Sequence, residues 1–314
     1  MAPITAVIPA NAHALVIGGT AGIGAAIAHR LALSLGPSST ITIAGRNASA
    51  AQKLIDRIQS ESKADTTGKG AASMRFASVD CGKMSDVKRF CAEYRSTLRS
   101  DPPRTLDMLV LTPGILAMDG RTPASPGSTL DLKMCLHYYA RMLIIRELEP
   151  CLSPQAIVMS VLDGKNSDAR ASGINRETMA SRKRHQHCLA FTDIQLEDFA
   201  HAAHKSGAKH SYIHAYPGFV STEIANTHRL PWYARLGAKA ISPLLAISPD
   251  TCAERLIGAM AECKSRDLDS EGDGMWNVDE KWRVLEGKHR ADEEVREKVR
   301  QHTWHAVNSQ AEGA

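Results

Sequence analysis

Seven residues near the N-terminus, Gly18-Gly19-Thr20-Ala21-Gly22-Ile23-Gly24, constrain the fold of this chain more than any other segment. They follow a short apolar run, Ala14–Ile17, and precede a helical pattern of small and apolar residues from Ile23 to Leu35. Glycine has no Cβ, so a turn rich in it bends sharply and lets the backbone approach a ligand closely. A helix starting at Ile23 or Gly24 aims unpaired N–H groups, and the positive end of its dipole, at whatever lies above the turn. Buried strand, glycine turn and helix in that order predict a dinucleotide cradle with the pyrophosphate on the helix N-terminus.

The rest of the chain repeats the strand–helix alternation. Strands are expected at Thr40–Ala44, Ser73–Val79, Leu106–Leu111, Ala156–Val161 and Ser211–Ala215. Helices are expected at about Ser49–Ser62, Ser85–Leu98, Leu130–Leu148 and Glu177–Lys205. Polar or Pro/Gly/Ser-rich stretches, Ser62–Gly70 and Met118–Thr129, separate several of them. Alternation of this kind implies βαβ units and a parallel sheet covered on both faces. The expected fold class is α/β, a Rossmann-type doubly wound parallel sheet in a single domain. Its core spans about 12–263, and a C-terminal helical extension at about 264–314 ends in a charged helix near Asp292–Val307. No internal repeat is visible.

Composition narrows the function classes. Of 314 residues, 43% are hydrophobic and 23% charged, which is ordinary globular usage. The 7 cysteines form no CxxC pair, fitting free thiols in a reducing compartment. A net charge of +4 is mild, and the one dense basic run, Arg182-Lys183-Arg184-His185, lacks interleaved aromatics, so nucleic acid is not an expected partner. Met1–Ala14 does not read as a secretory signal, and no apolar stretch is long enough for a membrane span. A cytoplasmic location is expected. His185 and His187 are two apart on an expected helix and cannot share a metal from one face. His201 and His204 could, but with no third ligand nearby, no metal site is expected.

Charge selects the cofactor. A site preferring NAD places an acidic residue about 20 residues after the glycines to hold the ribose 2′-OH. Here the first acidic residue is Asp56, and the second strand ends instead in Gly45-Arg46-Asn47. A guanidinium at that position pairs with a 2′-phosphate, so NADP(H) is the expected cofactor.

With these residues in place, the chain resembles the short-chain dehydrogenase/reductase family from about Leu15 to Met260, and its closing charged helix resembles fungal members. The resemblance is carried by Gly18-x-x-x-Gly22-x-Gly24, Gly45-Arg46, Val79-Asp80 and Tyr216-Pro217-Gly218-Phe219-Val220-Ser221-Thr222. It implies cofactor contacts from Gly18, Thr20, Gly22, Ile23, Gly24, Arg46, Asn47 and Asp80. Toward the nicotinamide it implies Pro113, Gly114, Pro217, Gly218, Val220 and Thr222.

The catalytic positions depart from the family pattern. Thr112-Pro113-Gly114 stands where the family has Asn-Ala-Gly, and His137 falls at the active-site Asn. The catalytic Ser falls on Asp163 (Leu162 or Gly164 with a shift of one). The YxxxK positions fall on Ser181 and His185, and no Tyr in the chain has a Lys four residues later. Without a positioned acid, carbonyl reduction loses on the order of 10²–10⁴-fold in rate. The substitutes His137, Asp163, Ser181 and His185 are polar, and Asp163 with His137 or His185 would make an acid–base pair in one cleft. The segment at about 223–248, including Trp232 and Tyr233, corresponds to a substrate lid. That implies a hydrophobic small-molecule substrate, of the kind met in fungal secondary metabolism; the second reading is a homo-oligomer contact or a membrane-surface helix. Three functions follow as expectations: an NADP(H)-dependent oxidoreductase with a non-standard site, a non-redox isomerase, dehydratase or cyclase on the same scaffold, or a non-catalytic NADP(H)-binding protein.

Overall fold

Ala14 and Val16 point to one side of β1 (His13–Ile17) and Leu15 and Ile17 to the other, and all four are buried. A strand apolar on both sides belongs in the middle of a sheet covered by helices on each face. The computed structural model describes residues 3–64, 70–100, 103–116, 122–126, 128–167, 183–222, 246–266, 274–286 and 291–309, without the side chains of 183–185. Its remaining strands are β2 (Thr40–Gly45), β3 (Ser73–Ser78), β4 (Leu106–Leu111), β5 (Leu152–Val161), β6 (Ser211–Ala215) and β7 (Met275–Val278). Together with β1 they form one parallel sheet in the order β3-β2-β1-β4-β5-β6-β7.

Helices α1 (Gly22–Leu35), α2 (Ala48–Ala64) and α7 (Pro249–Ser265) cover the face bearing Ala14 and Val16, through Ile27, Leu31, Ile55, Leu256 and Met260. On the other face lie α3 (Met84–Arg99), α5 (Ala140–Leu148), α6 (Lys183–Lys205) and α8 (Glu293–Ser309), which contribute Val87, Leu143, Phe191 and Val299. The helix expected at about 130–148 comes in pieces. A short α4 (Leu132–Met134), capped by Asp131, runs into a π-turn, Cys135–Tyr139, and then into α5. π-Turns inside helices occur frequently at functional sites.

The six expected strands and the expected helices within the described residues appear within a few residues of their anticipated limits. One α-helix and one strand of the sheet were not anticipated. Helix α7 starts at a Ser248 cap followed by Pro249. Strand β7 lies inside the expected C-terminal extension and completes the sheet beside β6. The strand order reverses between β1 and β4, and in open α/β sheets ligands bind at the carboxyl ends of the strands at such a switch point.

Candidate functional site

The glycine turn lies at that switch point. Gly18 and Gly22 adopt φ of +80° and +54°, which side-chain-bearing residues rarely tolerate. A Cβ on Gly18 would lie 2.5 Å from Thr112 Oγ1, and one on Gly24 would collide with the Gly18 carbonyl. The turn is anchored below: the Gly18 amide donates to the Ala44 carbonyl at 2.8 Å, and Thr112 Oγ1 donates to the Ile17 carbonyl at 3.0 Å. Helix α1 begins here with no side-chain cap and no acidic residue in its first turn. Its first N–H groups have no intrahelical acceptors, so the tip of α1 suits an anion.

The other expected cofactor residues gather along the same carboxyl edge. Thr20 packs on Gly45, whose Cβ would lie 3.1 Å from the Thr20 hydroxyl. Arg46, at the end of β2, is exposed and has no carboxylate partner among the described residues. Asn47 caps α2 by accepting from the Ala50 amide at 2.9 Å. Asp80 accepts from the Gly82 amide at 3.0 Å, closing the turn after β3. Past β6, Gly218 has φ of +75°, and a Cβ there would lie 2.9 Å from Glu280 Cβ. Val220 bridges to Ile247, and the Thr222 side chain comes back to Gly22, 3.4 Å from where a Cβ would stand. The glycine turn and the loop after β6 therefore face each other.

Of the expected acid–base residues, His137 sits in the π-turn, nearly fully buried. Its Nε2 accepts from the Ile115 amide at 3.1 Å, so a proton on this ring belongs to Nδ1 in the neutral form. Asp163, half-buried in the loop after β5, accepts from the backbone and side-chain N–H groups of Asn166 at 3.1 and 3.0 Å rather than meeting His137. Ser181 and the His185 side chain lie outside the described residues, as do lid positions 223–245 with Trp232 and Tyr233.

Three features were not anticipated from the sequence. The first is Arg141 in α5, fully buried under the site. Its Nη1 donates to the Leu111 and Val161 carbonyls and to Ser160 Oγ, its Nη2 to the Pro113 carbonyl, and its Nε to Leu136 in the π-turn. The second is a polar row across three neighbouring strands, Ser160, His214 and Asn277. His214 Nδ1 meets Asp193 Oδ1 at 2.6 Å, and Asn277 Nδ2 donates to the same carboxylate at 2.8 Å and to the Gly164 carbonyl at 3.1 Å. Burial pushes the Asp193 carboxyl pKa up, but the His214 charge and the hydrogen bonds from His214, Ser167 and Asn277 outweigh it and hold it below the ordinary value. The third is the ion pair of Lys165 with Glu280, at 2.8 Å, beside Tyr216. Burial first, then the charges of Asp163 and Glu280, raise the Tyr216 phenol pKa against the pull of Lys165. One signal was available beforehand: Arg141 is a lone cation in the apolar run Tyr138–Ile145, and such a residue is seldom buried without a role.

A depression of about 650 Å³ lined by His13, Arg75, Arg104 and Asp107 opens at the amino ends of the strands and forms no part of this site. Among the described residues, no group of three His, Cys, Asp or Glu could hold a metal, and no helix is long and apolar enough to cross a membrane.

No family model matches the chain. An oxidoreductase of Emericella nidulans is 27% identical over 218 residues, covering 68% of this chain and 60% of that protein. An oxidoreductase of Emericella variicolor is 29% identical over 66% of this chain and 57% of its own length. The chain thus spans less than two thirds of each of these two relatives. An NmrA-like family domain-containing oxidoreductase of an Aspergillus species is 25% identical over 79% of this chain and 69% of that protein. Among solved structures, a dehydrogenase/reductase from Sinorhizobium meliloti superposes with a TM-score of 0.57 at 18% identity, covering 89% of this chain and 98% of that one. A short-chain dehydrogenase from Burkholderia cenocepacia in complex with NADP gives 0.58 at 17% identity, covering 88% and 99%.

Proposed function

We propose that this chain, a divergent protein of the short-chain dehydrogenase/reductase fold, is an NADP(H)-binding oxidoreductase acting on a hydrophobic small molecule. The observation that carries the reading is the glycine cradle: space withheld at Gly18 and Gly24, the uncapped tip of α1, and Arg46 without a carboxylate partner among the described residues. Gly18, Gly22, Ile23 and Gly24 would hold the pyrophosphate and Arg46 the 2′-phosphate, with Pro113, Gly114 and the Pro217–Thr222 loop toward the ring end. When bound, the dinucleotide supplies or accepts a hydride.

The chain's own residues supply the rest. Leu116 and Phe219 are large apolar side chains left 43% and 48% exposed on the loops after β4 and β6. They favour an apolar substrate at the carboxyl edge, of the class met in secondary-metabolite biosynthesis. Proton exchange falls to the loops after β5 and β6, to Asp163 or to the Tyr216 hydroxyl, since a phenol is protonated at neutral pH. His137 Nε2 is taken up by the Ile115 amide, so this imidazole's first role is to orient the turn after β4.

The test is NADPH oxidation followed by absorbance with a panel of apolar ketones and aldehydes, using wild type, Asp163→Ala and Tyr216→Phe. Turnover of at least one substrate, with a drop of about 10²-fold or more in one variant, is expected. The absence of Tyr-x-x-x-Lys favours a second reading, non-redox acid–base chemistry on the same scaffold. Turnover of a panel compound with unchanged nicotinamide absorbance would establish it in place of the first.

A further inference from the structure

Arg141 is 1% exposed, and every acceptor of its guanidinium is neutral: four backbone carbonyls and the Ser160 hydroxyl. Among the described residues no carboxylate pairs with it. Burying a cation is costly, and folds ordinarily bury an anion with it. Carbonyl dipoles satisfy the N–H groups here but leave the full positive charge in place. Burial lowers the Arg141 pKa to about 10, so the group stays protonated at neutral pH.

The position of that charge matters. Leu111 and Val161 end β4 and β5, and Pro113 forms the turn above β4. Arg46 directly follows β2, on the opposite side of β1 in the sheet. A dinucleotide held by its 2′-phosphate at Arg46 and its pyrophosphate at α1 would have its other half on the β4–β5 side of the sheet, the side of Arg141. The oxidised nicotinamide ring is a cation and the reduced ring is neutral, while the remainder of the molecule is the same in both. Arg46 and the tip of α1 would face the phosphates, which the two forms share, whereas Arg141 lies on the side where they differ.

We infer that Arg141 sets the redox-state preference of the site, its buried and carboxylate-free guanidinium making the protein bind NADPH in preference to NADP⁺. This rests on the NADP(H) reading above and adds to it a residue that discriminates between the two forms. For two unit charges about 10 Å apart at an effective dielectric constant of about 20, the preference amounts to roughly tenfold or more.

Calorimetric titration of the full chain with NADPH and with NADP⁺ tests it, using wild type, Arg141→Lys and Arg141→Met, with circular dichroism to verify folding. Wild type is expected to bind NADPH at least about tenfold tighter. Arg141→Lys keeps most of that ratio while both affinities fall, and Arg141→Met brings the two within about threefold of each other. A residue that only braced the turn would weaken both forms alike, so an unchanged ratio in folded Arg141→Met overturns the inference. If Arg141→Met does not fold, wild type and Arg141→Lys decide. Equal or tighter NADP⁺ binding by wild type, or a ratio lost in folded Arg141→Lys, contradicts it. Binding of neither form defeats the nicotinamide reading and this inference with it, whereas equal binding of both defeats only the inference.

Discussion

Gly24→Ala would put a methyl group against the Gly18 carbonyl and 2.5 Å from Thr112 Oγ1, both held by the backbone of β1 and β4. Such overpacking costs about 1–3 kcal/mol, and here it also closes the cradle. The variant is expected to melt lower and to show no nicotinamide binding by calorimetry. Retained affinity would mean that the turn does not hold the cofactor. Asp193 makes the opposite kind of prediction. Its carboxyl pKa is depressed in the folded chain, so its contribution to stability is fully present above the unfolded value near 4 and is lost as pH falls through the lower folded value. Asp193→Asn should therefore cost about 1.5–3 kcal/mol at neutral pH and flatten the acid limb of the stability curve measured by urea unfolding. At this scale the glycines and Arg46 were legible because local backbone geometry and formal charge are written in the sequence. Arg141 and His214 were not, because their partners are brought in by the fold from 30 and 21 positions away in the chain, as with Leu111 for Arg141 and Asp193 for His214.

Helix α8 packs its buried Val299 and Val307 against the α5–α6 face. Thr303 meets Tyr138 at 2.5 Å, His302 meets Tyr139 at 2.9 Å, and Arg296 pairs with nearly buried Glu197 at 2.9 Å. Arg146 lies over the Trp304 ring at 3.9 Å. Ending the chain after Asp292 would uncover this surface and leave the Glu197 charge without Arg296. Each fully buried apolar side chain is worth about 1.5–3 kcal/mol, so the truncated protein is expected to melt at least about 10 °C lower and to bind a hydrophobic dye. An unchanged melting temperature would show that α8 is only an ornament on the surface. Its charged outer side made α8 easy to expect as a helix, whereas its packing role rests on residues four apart, Val299, Thr303 and Val307, facing inward. β7 escaped notice because four buried residues give too short a period to separate from a loop. The signal for α7, Ser248-Pro249-Asp250, is a helix start readable in sequence. The π-turn at Cys135–Tyr139 leaves no comparable local mark.

At the scale of the whole molecule, strand order places Arg46, the tip of α1, Pro113 and the Thr222 loop along one edge, although they are spread over more than half of the chain. The alternation of strands and helices made the doubly wound sheet readable, and the glycine turn stands at the carboxyl edge of that sheet. The loops after β5 and β6 were less legible, because they are placed by tertiary contacts such as Lys165 with Glu280 and Asn277 with Gly164. If this edge holds a nicotinamide dinucleotide bearing a 2′-phosphate, Arg46 selects it over the form without that phosphate. Calorimetric titration of wild type and Arg46→Ala with NADPH and NADH tests it most directly. Wild type should bind NADPH at least about tenfold tighter than NADH, and Arg46→Ala should remove most of that difference while leaving NADH affinity nearly unchanged. Equal affinities in wild type, or a preference that survives Arg46→Ala, would contradict it.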